Sequence, residues 1–180
     1  MSTRVPTHAP QLIVRRLSAS ALTGLVQFGN LTFPCALGRS GISARKREGD
    51  GATPRGRLAL RQVLYKAQAV ARPITGLPVR SIAKSDGWCD APQDRNYNRP
   101  VRLPYPASAE RMWREDGVYD LVLVLDYNIM PRKRGSGSAI FMHVVRPGFL
   151  PTEGCVALRR SDLQRLLASV RPGTELISEA

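Results

Sequence analysis

Val118-Tyr119-Asp120-Leu121-Val122-Leu123-Val124-Leu125-Asp126 decides the fold class. Successive side chains of a strand point to opposite faces. Here Tyr119, Leu121, Leu123 and Leu125 take one face, and Val118, Asp120, Val122, Val124 and Asp126 the other. The centre is apolar on both faces, which predicts a central strand packed above and below.

Outward from this strand, most segments also alternate. Leu12 to Leu17 predicts a first strand. Leu25 to Phe28 and Leu31 to Leu37 flank Gly29-Asn30, a pairing suited to a two-residue type II′ turn. In the second arm Leu31, Phe33, Cys35 and Leu37 share a face, which makes Cys35 a core residue, and Pro34 sends this strand to an edge or bulge. Arg57 to Tyr65 predicts another strand, with Leu58, Leu60 and Leu64 on one face and a helix as the competing assignment. Val79 to Lys84 and Ala139 to Val145 complete the strands. Two polar loops are expected, 38–56 and 85–106. Two short helices are expected: 108–114, capped by Ser108, and 161–170, where Ser161 and Gln164 form a capping box and Leu163, Leu166, Leu167 and Val170 fall on one side. The resulting expectation is a mainly β (β-rich α+β) chain, with a flexible tail over 1–10 and a single domain over 11–180.

Composition bounds the function. At 180 residues, with 43% hydrophobic and 23% charged side chains, the chain has the ordinary make-up of a globular domain. Its net charge of +13 is unusual, and residues 1–47 carry seven basic residues and no acid. Such charge attracts polyanions. No nucleic-acid motif accompanies it, so no nucleic-acid partner is expected. The longest aliphatic run, Leu121 to Leu125, is far short of the roughly 20 residues of a membrane span. Leu12-Ile13-Val14 runs directly into Arg15-Arg16, so no signal-peptide core is visible. Three cysteines allow one disulfide, Cys35–Cys89, with Cys155 left over; the sequence leaves that pairing open. Cys-x-x-Cys pairs are lacking and the ligand candidates are scattered, so neither a metal nor a cofactor is expected.

The chemistry concentrates in Met142-His143-Val144-Val145-Arg146-Pro147-Gly148-Phe149-Leu150-Pro151-Thr152-Glu153-Gly154-Cys155-Val156-Ala157-Leu158. A thiol and an imidazole joined by an eleven-residue Pro/Gly-rich loop are candidates for a nucleophile–base pair. Spacing alone does not separate them from two unrelated buried residues. As a site they carry further expectations. His143 and the start of the 161–170 helix lower the thiol pKa. The Gly154 and Cys155 N–H groups face an oxyanion. Thr152 fixes the loop. A backbone carbonyl orients His143, with Asp126 or Glu153 as alternatives.

His143 followed by Thr152-Glu153-Gly154-Cys155 resembles the active-site motif of L,D-transpeptidase (YkuD-like) catalytic domains, a His, a loop, then Ser/Thr-x-Gly-Cys. The resemblance extends in order through Gly38-Arg39-Ser40-Gly41, Lys46 to Gly51 with Thr53-Pro54 and Gly56, Asp86-Gly87-Trp88-Cys89, Tyr97-Asn98, and Gly137 to His143. It spans roughly residues 25–170. It implies a β-sandwich or barrel with one or two short helices and a cleft active site. The implied activity is cysteine-dependent acyl transfer on peptidoglycan stem peptides in the periplasm or cell envelope. Cys155 and His143 would be catalytic, and Thr152, Ser138, Arg146, Trp88, Tyr97 and Asn98 would shape the site or bind substrate. An L,D-carboxypeptidase and a non-catalytic basic wall-binding module are the alternatives. Two positions depart from the family pattern. Glu153 stands where many members have His, and Ala157 where they have an Arg thought to meet a substrate carboxylate. Arg146 and Arg159 are candidates to replace that Arg.

Overall fold

The structure, a computed structural model, describes residues 10–179, so most of the expected tail lies outside the described residues. The strands in chain order are β1 (Gln11–Arg16), β2 (Thr23–Phe28), β3 (Leu31–Ala36), β4 (Ile42–Ser43), β5 (Thr53–Pro54), β6 (Gly56–Tyr65), β7 (Val79–Ser81), β8 (Asp86–Cys89), β9 (Arg99–Arg102) and β10 (Ala109–Arg111). Then come β11 (Leu121–Leu125), β12 (Phe141–Val144), β13 (Val156–Leu158), helix α1 (Arg160–Ser169) and β14 (Glu175–Glu179). The main sheet runs β11-β12-β13-β3-β2-β1-β14-β6, and β6 pairs back onto β11. That last pairing closes the sheet into a barrel, and the short β7 pairs alongside the end of β6. A separate three-stranded sheet, β10-β8-β9, packs beside it.

The β2–β3 hairpin forms as its turn chemistry predicts, with Gly29 at φ +55°. Pro34 pairs with Leu25 of β2, while β13 covers β3 only at Cys35 and Ala36. The missing proline N–H therefore lies where β3 has no second neighbour.

β11 carries two cores. Leu121, Leu123 and Leu125 join a cluster with Val26, Phe33 and the α1 leucines. Val122 and Val124 join a second cluster with Trp88, Met112, Tyr119, Phe141 and Cys155. Tyr119 precedes the strand and sits in this second cluster, away from the leucines whose parity it shares. On β6 the register against β11 shifts, with Val124 opposite Gln62 and Leu125 opposite Leu60. The extra residue, Arg61, reverses the faces beyond it. Leu58 and Leu60 pack in the first core, but Leu64 turns to the second and Val63 takes its expected place.

Three sequence expectations are corrected. Residues 108–114 contain the short strand β10 in place of a helix, because Ala109–Arg111 pair with Cys89–Gly87 of β8. The polar stretch 85–106 contains β8 and β9. α1 begins at Arg160, and its N-terminus has no side-chain cap, so the Ser161/Gln164 box does not form. Leu163, Leu166, Leu167 and Val170 are nonetheless fully buried, since the apolar stripe decides the packing. Cys35 and Cys89 are buried and unbridged.

Candidate active site

β12 and β13 run parallel, with Met142 opposite Val156 and His143 opposite Ala157. Alternation puts Phe141 and His143 on one face, and the register brings Cys155, just before β13, to that same face. The Phe141 amide donates to the Cys155 sulfur at 3.3 Å, and the thiol donates to the Ala139 carbonyl at 3.3 Å. Ala139 has φ +51°, a conformation that side chains other than glycine rarely take. Asn98 holds it there. Its Oδ1 accepts the Ala139 amide at 3.1 Å and the Trp88 indole N–H at 2.9 Å, while its Nδ2 donates to the Tyr127 and Asn128 carbonyls. Trp88 in turn packs edge-on against Phe141, with ring centroids 5.1 Å apart.

His143 Nδ1 lies 2.9 Å from the Val144 carbonyl. A carbonyl can only accept, so Nδ1 carries the proton and Nε2 remains basic. The orienting group is thus a backbone carbonyl. The two carboxylates named as alternatives are engaged elsewhere: Asp126 accepts the Ala59 amide and Glu153 pairs with Arg39. Tyr119 stacks edge-on against the imidazole at 5.4 Å.

Burial reverses the expected electrostatics. Desolvation, reinforced by the Glu110 charge and opposed by the Phe141 amide and Lys46, pushes the Cys155 thiol up to about 12. Desolvation also holds His143 down at about 4, with Arg146 and Arg114 adding to it and the Val144 bond opposing. At neutral pH the resting pair is therefore thiol and neutral imidazole, in place of the ion pair that spacing suggested. Carrying two charges into a site 6–7% exposed costs more than their attraction returns without further partners.

The loop before the sulfur has one permitted shape. Gly154 has φ +130°, and a Cβ there would meet the Ala52 carbonyl oxygen at 2.7 Å. Thr152 Oγ1 accepts the Gly154 amide at 3.1 Å and donates to the Cys155 carbonyl at 2.6 Å. Its backbone is bonded at both sides, to Leu37 and Arg39. Thr152 fixes the loop as expected, but in doing so it takes the Gly154 N–H. Only the Cys155 N–H is without a hydrogen-bond partner among the described residues.

Cys155, His143, Thr152, Ser138 and Arg146 line one cleft of about 510 Å³. Trp88, Tyr97 and Asn98 do not; each is at most 3% exposed and lies beneath the site. Tyr97 and Ser138 both donate to Glu48 Oε2, which tethers the 46–52 loop to the wall of the cleft. Ala157 is 1% exposed beside His143, so the slot opposite the imidazole holds a methyl group. Of the two candidate replacements for the family Arg, Arg146 faces the cleft and Arg159 stacks on Phe149 outside it. Glu48, Asp90, Glu110 and Arg114 also line the cleft and are not among the expected site residues, although Glu48 lies in the Lys46 to Gly51 stretch that carries the resemblance. The last three come from the β8–β10 sheet and its flanking turns: Asp90 follows β8 in the expected polar loop, and Glu110 and Arg114 fall in the mistaken helix. Among the described residues no three His, Cys, Asp or Glu side chains converge as metal ligands, and no helix is long and apolar enough to cross a membrane.

The profile of the L,D-transpeptidase catalytic domain (YkuD) family matches residues 10–177. The chain belongs to this family. Among solved structures, this L,D-transpeptidase domain is similar to Mycobacterium tuberculosis L,D-transpeptidase 1 at 12% identity and a TM-score of 0.37. That match covers 94% of the present chain and 62% of the other, so the domain spans less than two thirds of the neighbour's length. No curated protein matches the domain in sequence.

Proposed function

We propose that this domain is a cysteine-dependent L,D-transpeptidase that acts on peptidoglycan stem peptides in the cell envelope through a thioester acyl-enzyme. The observation that carries the proposal is the shared cleft position of the Cys155 thiol and a His143 whose Nε2 is left basic by the Val144 bond. A neutral pair suits concerted transfer. As the sulfur attacks the carbonyl preceding a terminal D-residue, its proton passes to His143 Nε2, and the Cys155 N–H donates to the developing oxyanion. His143 then protonates the departing amine as the C–N bond breaks, leaving the thioester. An acceptor amine attacks next, gives its proton to His143, and the thiol re-forms. Arg146, which lines the cleft and acts on the His143 side, would hold a substrate carboxylate in place of the Arg that Ala157 replaces.

The test is incubation with a carbapenem, followed by intact-mass analysis, together with exchange of a D-amino acid on a tetrapeptide. A single adduct mapped to Cys155, and exchange lost in Cys155→Ala, are expected. Exchange that survives Cys155→Ala removes the cysteine mechanism. A ratio favouring free acid over amine adduct assigns the domain to L,D-carboxypeptidase chemistry.

A further inference from the structure

The chain is strongly basic, yet its cleft is not. Four of the 14 acids line it, Glu48, Asp90, Glu110 and Glu153, against three of the 27 lysines and arginines. The cleft is also divided. Arg114 and Arg146 act on His143, whereas Glu110 is the carboxylate that acts on the Cys155 sulfur. Glu110 projects from β10, opposite Trp88 of β8, and its Oε1 accepts the Tyr119 hydroxyl at 2.5 Å. Arg114 stands 3.8 Å away, beyond hydrogen-bond reach, and is committed to Asp116. Glu110 Oε2 thus has no partner among the described residues. At the end of β8, Asp90 adds a buried Oδ1 that is also without a partner; burial raises the Glu110 pKa, Tyr119 and Arg114 oppose it, and Asp90 and Glu48 add to it.

A half-satisfied Glu110 and an Asp90 whose buried Oδ1 has no partner, both lining the cleft that holds the nucleophile, suit a cation supplied by the substrate. That cation is not the attacking amine. A carboxylate that holds an ammonium keeps it protonated and so non-nucleophilic, whereas arginines beside His143 favour the neutral amine. The acidic wall therefore fits an ammonium that stays charged throughout. We propose, on the L,D-transpeptidase reading above, that Glu110, aided by Asp90, is a specificity-determining residue that binds a spectator ammonium on the side chain of the donor residue being acylated, as in a diamino-acid-containing stem peptide. Such binding also neutralises the carboxylate that opposes formation of the thiolate, so the matching donor assists its own attack.

The test is titration calorimetry on Cys155→Ala protein, with and without Glu110→Gln. The ligands are a tetrapeptide with diaminopimelate at its third position and the same peptide acetylated on the side-chain amine. Gln retains the acceptor for Tyr119, and the free-amine to acetyl ratio in Cys155→Ala alone needs no change at position 110. Acetylation is expected to weaken binding about tenfold or more when Glu110 is present, the scale of a charge-assisted hydrogen bond, and to have no effect with Gln. Equal affinity for the two peptides in Cys155→Ala, discrimination that persists in Glu110→Gln, or binding of neither peptide overturns the proposal. Turnover is read separately on the unaltered protein. Discrimination without turnover keeps the Glu110 assignment and removes the transpeptidase reading.

Discussion

Asn98 and Ala139 are joined by a 3.1 Å hydrogen bond from the Ala139 amide to Asn98 Oδ1, across 41 residues of sequence. Through that bond a buried amide holds the strained residue whose carbonyl receives the catalytic candidate's thiol. Asn98→Ala removes four hydrogen bonds from a site 2% exposed and leaves buried backbone and indole groups without partners. Each orphaned group costs about 1–3 kcal/mol. The variant is expected to lose at least about 3 kcal/mol in urea unfolding, and its Cys155 is expected to alkylate faster as Ala139 relaxes. A variant as stable as the parent would contradict this role.

Cys155 should show no sign of a preformed thiolate. With the thiol pushed up to about 12, alkylation by iodoacetamide is expected to rise about tenfold per pH unit from pH 7 to 10. Intact mass measures the rate, and a plateau below pH 8 would reveal the ion pair that burial is argued to suppress.

His143 links stability to acid. Its folded pKa of about 4 lies below its ordinary 6.5, so the unfolded chain binds a proton that the folded one refuses. The contribution is complete above pH 6.5 and is lost as pH falls towards 4, a difference of about 3 kcal/mol. Urea unfolding across this window should show the loss in the parent and not in His143→Gln. Parallel profiles would count against the depressed pKa.

Gly154→Ala brings a Cβ to 2.7 Å from the Ala52 carbonyl at a backbone angle of φ +130°. Strain of this kind costs about 1–3 kcal/mol before the clash is added. A lower melting temperature and lost carbapenem acylation are both expected, and an unchanged melting curve would show that the loop has room.

Ala157→Arg introduces the arginine that the family resemblance leads one to expect at this position, yet it should impair this protein. Position 157 is 1% exposed and faces His143, so the guanidinium would be buried without a carboxylate partner. Loss of several degrees in melting temperature with no gain in exchange activity is expected. Arg146→Ala, by contrast, should raise KM while leaving the melting temperature near that of the parent.

The chain alone determined its β character, the β2–β3 hairpin and the apolar stripe of α1, and an ordered motif singled out His143 and Cys155 as candidates. Each of these rests on local alternation, turn chemistry or an ordered motif, which neighbouring residues express by themselves. Only the tertiary structure decided the rest. Residues 109–111 became a strand because β8 offered a partner edge, and Leu64 changed faces because Arg61 bulges against β11. Glu48 meets Ser138 across 90 residues, and Thr152 claims the Gly154 amide through a side chain that could have pointed elsewhere. The thiol pKa moved opposite to expectation for the same reason. Desolvation sums over every atom packed around the sulfur, and those atoms come from segments that no local pattern connects.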